Sequence, residues 1–489
     1  MKKYYFFMTE CKHWFDIAVK LHSDGIAKPI LWLGDDLHYK NASKIFGKGV
    51  EKALKFVHRP YEIYDVNYSG ENSDFFLSEH YLKVKDRCLK MMDRIDTYGT
   101  FSRIDREAYF NNLVIWALKK IKLDKPDLLI VAEAPHSHAQ YLIYEICRYF
   151  KIPCYKFNNW MLLPCLSLEN FETGEVIKPK KNISEIDLKF DKIIEQFVND
   201  LLHRDQEYEL SYMKTHRKNQ QFFQKIFNYF KYGYKKDFND FKHNIGNILK
   251  SRASYINPYK LNFLTRKKMI NKRKSNLLIH FKKNISKIDL NEKYVYFGLH
   301  YEHERTTNPD GNEYHDQLKA IIKLRSVLDS DIKIFVKEHP SQFMAEKGHL
   351  GRSPIFYNIL KNISGVRVVD TKINTLKLIK NSMFVSTITG TLGLEAAILG
   401  KKAIIFAETW YSGCPNVFNF SNFTKLSKSK VKNSNDVLTF LLNKKNTNTI
   451  VSCQNGSARR RFSFLIDKDF ENKQFKETYQ LIKSLFSSI

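Results

Sequence analysis

DIKIFVKEHPSQF, residues 331–343, and VSTITGTLGLEAAILGKKAIIF, residues 385–406, together decide how this chain is read. Each begins as a short apolar strand and ends in groups suited to holding an anion. The first delivers Lys337, His339 and Pro340, and the proline stops further sheet pairing. The second delivers Ser386, Thr387, Thr389, Gly390, Thr391 and Gly393 just ahead of a helix with Glu395 in its first turn. Glycines permit close backbone approach, and hydroxyls with successive amides can cradle a phosphate. Two such strand exits in one domain predict a nucleotide–phosphate crevice at the edge of a parallel sheet.

Each residue has a chemical reason to be there. The His339 imidazole can donate to a phosphate oxygen and protonate a departing phosphate. Lys337 can add charge, unless strand alternation turns it to the opposite face. Glu395 is placed to accept from ribose hydroxyls. In GHLGRSPIFYNILKNI, residues 348–363, Arg352 and Ser353 stand near a helix start. Arg352 there either reaches a carboxylate or phosphate or serves the surface. Beyond the strand in GKKAIIFAETWY, Trp410 or Tyr411 either stacks on a base or packs under a loop. Neither a Walker A sequence nor a GxGxxG is present, which leaves ATPase and hydride-transfer chemistry without support.

Outward from this core, a new α/β pattern starts near Tyr294, with a turn signal at Asn308–Gly311 and a helix from about Glu313. His300, Glu302, His303 and Glu304 sit at a strand exit, but their spacing matches no closed zinc pattern. Residues 1–200 also alternate strands and helices. KPILWLG (28–34) ends in Asp35 and Asp36, and FVHRPYEIYDV (56–66) reads as another strand region. Residues 102–122 form an amphipathic helix, and 125–157 a βαβ unit. Its strand LLIVA exits into Glu133 and His136. Glu133 can activate an acceptor, with His136 as partner or phosphate ligand; a helix cap and surface loop is the plainer reading.

Composition bounds the rest. The chain has 489 residues, too many for one ordinary core, so two domains and an insert are expected. Seven cysteines form no CxxC pair and read as reduced core thiols of a cytosolic protein. No apolar run approaches the roughly 18 residues of a membrane span. The start MKKYYFFMTECKHWF reads as a first strand and not a signal peptide, so a cytoplasmic chain is expected, with any membrane association peripheral.

Net charge is +28, and it is concentrated. From Lys214 to Lys283 nineteen Lys or Arg face only Asp237 and Asp240, with Phe and Tyr interleaved. Such a segment can bind an anionic bilayer surface, bind single-stranded nucleic acid, or be a solvated helical insert. No nucleic-acid motif supports the second. Gly246 and Pro258 break it, which predicts helix before Gly246 and less regular chain after it.

KEHP (337–340), the TTNPDG loop (306–311), GRSxxFY (351–357) and TGTLGLEAxxxGKxxxxF (389–406) resemble bacterial capsule and lipopolysaccharide glycosyltransferases of the Kdo-transferase-like, capsule-synthesis family. The resemblance covers residues 290–420 well and the first 160 loosely. It implies a GT-B fold, two Rossmann-like domains facing across a cleft, with the donor nucleotide held mainly by the second. The implied boundaries are 1–200, a basic insert 201–290, a nucleotide-sugar domain 291–450 and a helical segment 451–489 returning toward the first domain. An HP motif contacting donor phosphate falls on His339 and Pro340, and a Ser/Thr-rich phosphate turn on Ser386, Thr387, Thr389 and Thr391. The catalytic acidic group falls on the first domain, where Glu133 and His136 are the candidates.

The implied donor is a nucleotide sugar, best a CMP-activated Kdo or related acidic sugar, with no required metal. The acceptor would be a capsule or lipopolysaccharide glycan, possible in lipid-linked form at an anionic membrane face. A diphosphate-sugar transferase, a sugar epimerase of similar architecture, and a nucleic-acid-binding α/β protein are the alternatives.

Overall fold

The computed structural model describes residues 1–7, 12–34, 36–47, 50–52, 73–95, 102–135, 137–180, 183–203, 263–302, 304–345, 348–452 and 461–488. The strand region expected at 56–66, together with Asp35, His136, His303 and the greater part of the basic segment, lies outside these. Two compact units emerge. The first is Met1–Ile95, Arg106–Phe197 and Leu438–Ile489; the second is Asp96–Asp105 and Val198–Val437. Each contains a Rossmann-like sheet flanked by helices, the make-up of a GT-B chain.

In the first unit, β1 (Lys2–Phe7) pairs in parallel with β2 (Ala27–Gly34) and β4 (Leu128–Val131). Parallel pairing continues outward to β3 (Val50–Lys52) beside β2 and to β5 (Cys154–Asn159) beside β4. β6 (Cys165–Asn170) then turns antiparallel on β5, and both β7 (Val176–Ile177) and β14 (Ile450–Val451) lie antiparallel on β6. The β1 sequence KYYFF explains the two-sided sheet: alternate rings enter opposite cores. Tyr5 and Phe7 join Leu33, Leu129 and Val131 on one face. Tyr4 and Phe6 join Trp14, Trp32 and Ile130 on the other.

The expected helix at 102–122 spans Arg103–Asp124, and the βαβ unit carries its helix at His138–Tyr149. Helix Lys468–Ser487 packs its Phe486 ring on Tyr4, 5.1 Å between centroids. Within this unit, buried Lys445 also pairs with Asp191 at 2.6 Å.

In the second unit β8 (Tyr294–Gly298) lies at the centre. The chain steps outward through β9 (Lys333–Lys337) to β10 (Val366–Val369), all parallel. It then returns to the other side of β8 as β11 (Val385–Thr387) and steps outward through β12 (Ala403–Ile405) to β13 (Val417–Asn419), again parallel. The order β10-β9-β8-β11-β12-β13 reverses direction between β8 and β11. Ligands of open α/β sheets bind outside the carboxyl ends of strands at such a reversal.

One expectation about the basic segment is corrected. Its described part after Pro258 is a regular helix, Phe263–Asn284, with eight Lys or Arg and no acid. The cause is packing: Leu277 and Phe281, four residues apart, are buried, and the Phe281 ring lies 5.2 Å from Tyr357 and 4.8 Å from Phe343. Among the described residues no helix is long and apolar enough to cross a membrane.

Candidate functional site

The strand exits of the second unit converge on a histidine. β8 lies between β9 and β11, in register Gly298↔Lys337 and Phe297↔Ser386, so residues just past all three strands share one edge. Buried His300, two residues beyond β8, accepts Thr389 N–H on Nε2 at 3.1 Å and has Thr387 Oγ1 at 3.2 Å from the same nitrogen. An amide only donates, so Nε2 carries the lone pair and the ring proton sits on Nδ1. There it faces Thr306 Oγ1 at 3.3 Å. Burial first, then the neighbouring His339 and Arg352 side chains, push the His300 pKa down to about 3. The ring is neutral at physiological pH.

The main chain of His300 is held as firmly as its ring. Its N–H donates to Gln317 Oε1 at 2.8 Å, and its carbonyl accepts from Gln317 Nε2 and Arg352 Nη2, each at 3.1 Å. Gln317 opens the helix Gln317–Arg325, capped by the Asp316 side chain, and also donates to Glu302 Oε1 at 2.7 Å.

Behind His339 lies a buried ion pair. Glu338 accepts from Arg352 Nε at 2.9 Å, from Tyr357 OH at 2.8 Å and from the His339 N–H at 2.8 Å. Burial opposes the Arg352 charge, but the Glu338 and Glu302 carboxylates outweigh it and hold the guanidinium pKa above its usual value. Beyond the carboxylate, half-buried His339 accepts Ser341 N–H on Nδ1 at 3.2 Å, so its neutral ring carries the proton on Nε2. Pro340 leads into the short helix Ser341–Met344.

The turn after β11 is tethered at several points. Thr389 Oγ1 donates to Thr306 O at 2.7 Å, and the Tyr411 hydroxyl donates to Gly390 O. Gly390 is required by closeness: a Cβ there would meet Thr387 Oγ1 at 2.8 Å and His300 Cε1 at 3.4 Å. One turn on, Thr391 Oγ1 donates to Glu395 Oε1 at 3.2 Å.

The sequence candidates therefore divide. Thr387, Thr389 and Gly390 gather on His300, with His339 and Pro340 at the neighbouring strand end and Thr391 and Glu395 just beyond. Two others are engaged elsewhere, and a third is turned into the sheet. Lys337 donates its Nζ to Ile373 O and Thr375 Oγ1, each at 2.7 Å, because strand alternation sends it to the other face from Val336. Arg352 is committed to Glu338. Ser386 lies inside β11, level with Phe297 and Ile404, and its buried hydroxyl has no hydrogen-bond partner among the described residues. Trp410 and Tyr411 are 6% and 0% exposed, so both pack under the loop. In the first unit, half-buried Glu133 follows β4, and Ser137 caps the next helix.

Sequence reasoning passed over His300 except as one member of an unconvincing metal cluster. Glu302 of that cluster accepts from Gln317 and Thr307, and among the described residues no group of three or more His, Cys, Asp or Glu is arranged to hold a metal. The missed signal was its position, two residues past YVYFG at the first strand of the pattern.

No protein-family model matches the chain, and no curated protein matches it. Solved structures do align. UDP-GlcNAc 2-epimerase from Methanocaldococcus jannaschii is 14% identical over 95% of this chain and 99% of that one, with a TM-score of 0.22. Thermosulfurimonas dismutans KpsC, a beta Kdo 2,4 transferase, is 12% identical over 70% of this chain and 88% of that one, with a TM-score of 0.25. A beta Kdo 2,7 transferase structure of KpsC from the same organism is 10% identical over 66% and 78%, with a TM-score of 0.27. At these values the likeness fixes neither substrate nor reaction.

Proposed function

We propose that this chain is a nucleotide-sugar-dependent glycosyltransferase, with the donor's phosphate at the carboxyl edge of β8, β9 and β11. The observation that carries the reading is the meeting of the His339 strand end and the Thr387–Thr391 turn across His300, at the reversal point of the second sheet.

In this reading the acceptor hydroxyl attacks the anomeric carbon, the bond from that carbon to the phosphate oxygen breaks, and the phosphate leaves with the bonding pair. His339 Nε2–H meets the developing charge beside the Thr387–Thr391 turn, while Glu395 accepts from the ribose; the Thr389 and Thr391 hydroxyl protons stay on Thr306 O and Glu395. Glu133 of the first unit takes the acceptor's proton, with His136 as its partner. The favoured donor is a CMP-activated acidic sugar of the Kdo type, because a single phosphate needs few cations and Lys337 and Arg352 are engaged elsewhere. A capsule or lipopolysaccharide glycan is the acceptor. The lysines exposed on Phe263–Asn284, such as Lys268, Lys272 and Lys282, suit an anionic membrane carrying a lipid-linked acceptor.

The test is to incubate the protein with cytidine- and uridine-nucleotide sugars and follow nucleotide binding and release. Saturable binding with release of nucleotide in the presence of glycan is expected. Tight RNA binding with no response to any nucleotide sugar would overturn the reading.

A further inference from the structure

His300 stands in the middle of the shared edge, yet its ring faces the protein's own backbone. We propose that His300 is a positioning residue: its Nε2, as an uncharged acceptor for Thr389 N–H, holds the Thr387–Thr391 turn in its ligand-binding shape. The role rests on the nucleotide reading of the same site, and it makes affinity depend on an acceptor at this point and not on a histidine charge.

Three observations support it. First, the bonds close a small circuit. His300 Nε2 takes Thr389 N–H at 3.1 Å, Thr389 Oγ1 donates to Thr306 O at 2.7 Å, and Thr306 Oγ1 lies 3.3 Å from His300 Nδ1. The turn cannot shift without breaking two of these together. Second, the ring cannot follow a moving turn, because Gln317 and Arg352 fix the His300 main chain. Arg352 in turn binds Glu338, which accepts the His339 N–H, so one line of bonds joins the turn to the other strand end. Third, a protonated Nε2 would set an N–H against the Thr389 N–H, and burial beside His339 and Arg352 opposes that form. With no acceptor at this point, the Thr389 amide of an 8% exposed residue would be left unpaired.

Glutamine at this position places its Oε1 about where Nε2 now lies; phenylalanine fills the space and accepts nothing. CMP and UDP, each alone, are the probes. His300→Gln is expected to bind within about threefold of the wild type, and His300→Phe about tenfold or more weakly. Amide exchange at Thr389 should be slow in the wild type and His300→Gln and fast in His300→Phe. Nitrogen-15 shifts of the wild-type ring should show a neutral, Nδ1-protonated imidazole from about pH 5 to 8.

Equal binding and equal Thr389 protection in all three proteins would overturn the proposal. So would a glutamine variant as weak as the phenylalanine one, or a wild-type ring protonated on Nε2. If neither nucleotide binds the wild type, the nucleotide reading falls by itself, and amide exchange and the ring proton still decide the positioning role. The ring measurement also stands if His300→Phe fails to fold.

Discussion

Arg352 Nε lies 2.9 Å from Glu338 Oε2 with both side chains buried, and Glu338 immediately precedes His339. This pair fixes the direction in which β9 ends. Removing one partner strands a charge in a low-dielectric interior, so Arg352→Ala should destabilise the second unit by about 3–5 kcal/mol. Replacing both, as Arg352→Met with Glu338→Gln, should recover part of that loss. Urea unfolding checks it: a cost below about 0.5 kcal/mol for Arg352→Ala would match an exposed arginine instead.

Gly390→Ala tests how close the turn must come to β8. The added methyl would meet Thr387 Oγ1 at 2.8 Å, and His300 Cε1 at 3.4 Å cannot retreat because its main chain is fixed. A loss of about 1–3 kcal/mol in stability is expected, with weaker CMP or UDP binding. Unchanged titration curves and melting would mean the turn adapts freely.

The second sheet was legible because its strands are short, have apolar centres or neighbours and are bounded by polar exits. KIFVK, VST and AII needed only their flanks to be placed. The edge itself was half legible. His339 and the threonines announce themselves by type, whereas His300 looks like any polar residue until β8 is known to lie between β9 and β11. Arg352 and Lys337 were misleading for one reason: a charge near a strand end looks available to a ligand, and only the fold supplies the buried carboxylate or helix terminus that takes it. Ser386 was grouped with the threonines by composition, though period-2 alternation sends it into the core beside Phe297. The helix Phe263–Asn284 was hidden because Leu277 and Phe281 stand amid lysines, and only Tyr357 and Phe343 make those two worth burying.

Glu395→Gln keeps the length of the side chain and an acceptor for Thr391 while removing the charge. If Glu395 binds ribose hydroxyls, donor affinity should fall by about fivefold, the value of one charge-assisted hydrogen bond over a neutral one. The maximal rate should change less. An unaltered KM with a reduced kcat would place the carboxylate in the chemical step instead.

The neutrality of His300 predicts an acid-side loss of stability. Its pKa is about 3 folded, against 6.5 unperturbed. Between those values the unfolded chain binds the extra proton, so this contribution is fully present above 6.5 and declines as pH falls toward 3. At about pH 4.5 the difference is roughly 2–3 kcal/mol. Unfolding free energy of the wild type should therefore fall by about that much more than that of His300→Gln between about pH 7 and 4.5. Parallel pH profiles would show that the ring takes up its proton in the folded chain.

In the proposed reaction His339 carries the chemistry most directly. Its neutral ring has the proton on Nε2 because Nδ1 already accepts from Ser341. A donor there stabilises charge on a leaving phosphate only as that charge develops, so the effect should appear in kcat more than in donor binding. His339→Ala should slow transfer by about 10²–10⁴-fold. The Glu338 carboxylate stays paired with Arg352 and Tyr357 in the variant, so melting should remain near the wild-type value. His339→Asn, which keeps a donor but cannot act as an acid, should fall between the two if phosphate binding is the larger part of the role. Near-normal turnover by His339→Ala would remove the histidine from the reaction and leave only the Thr387–Thr391 turn to meet the phosphate.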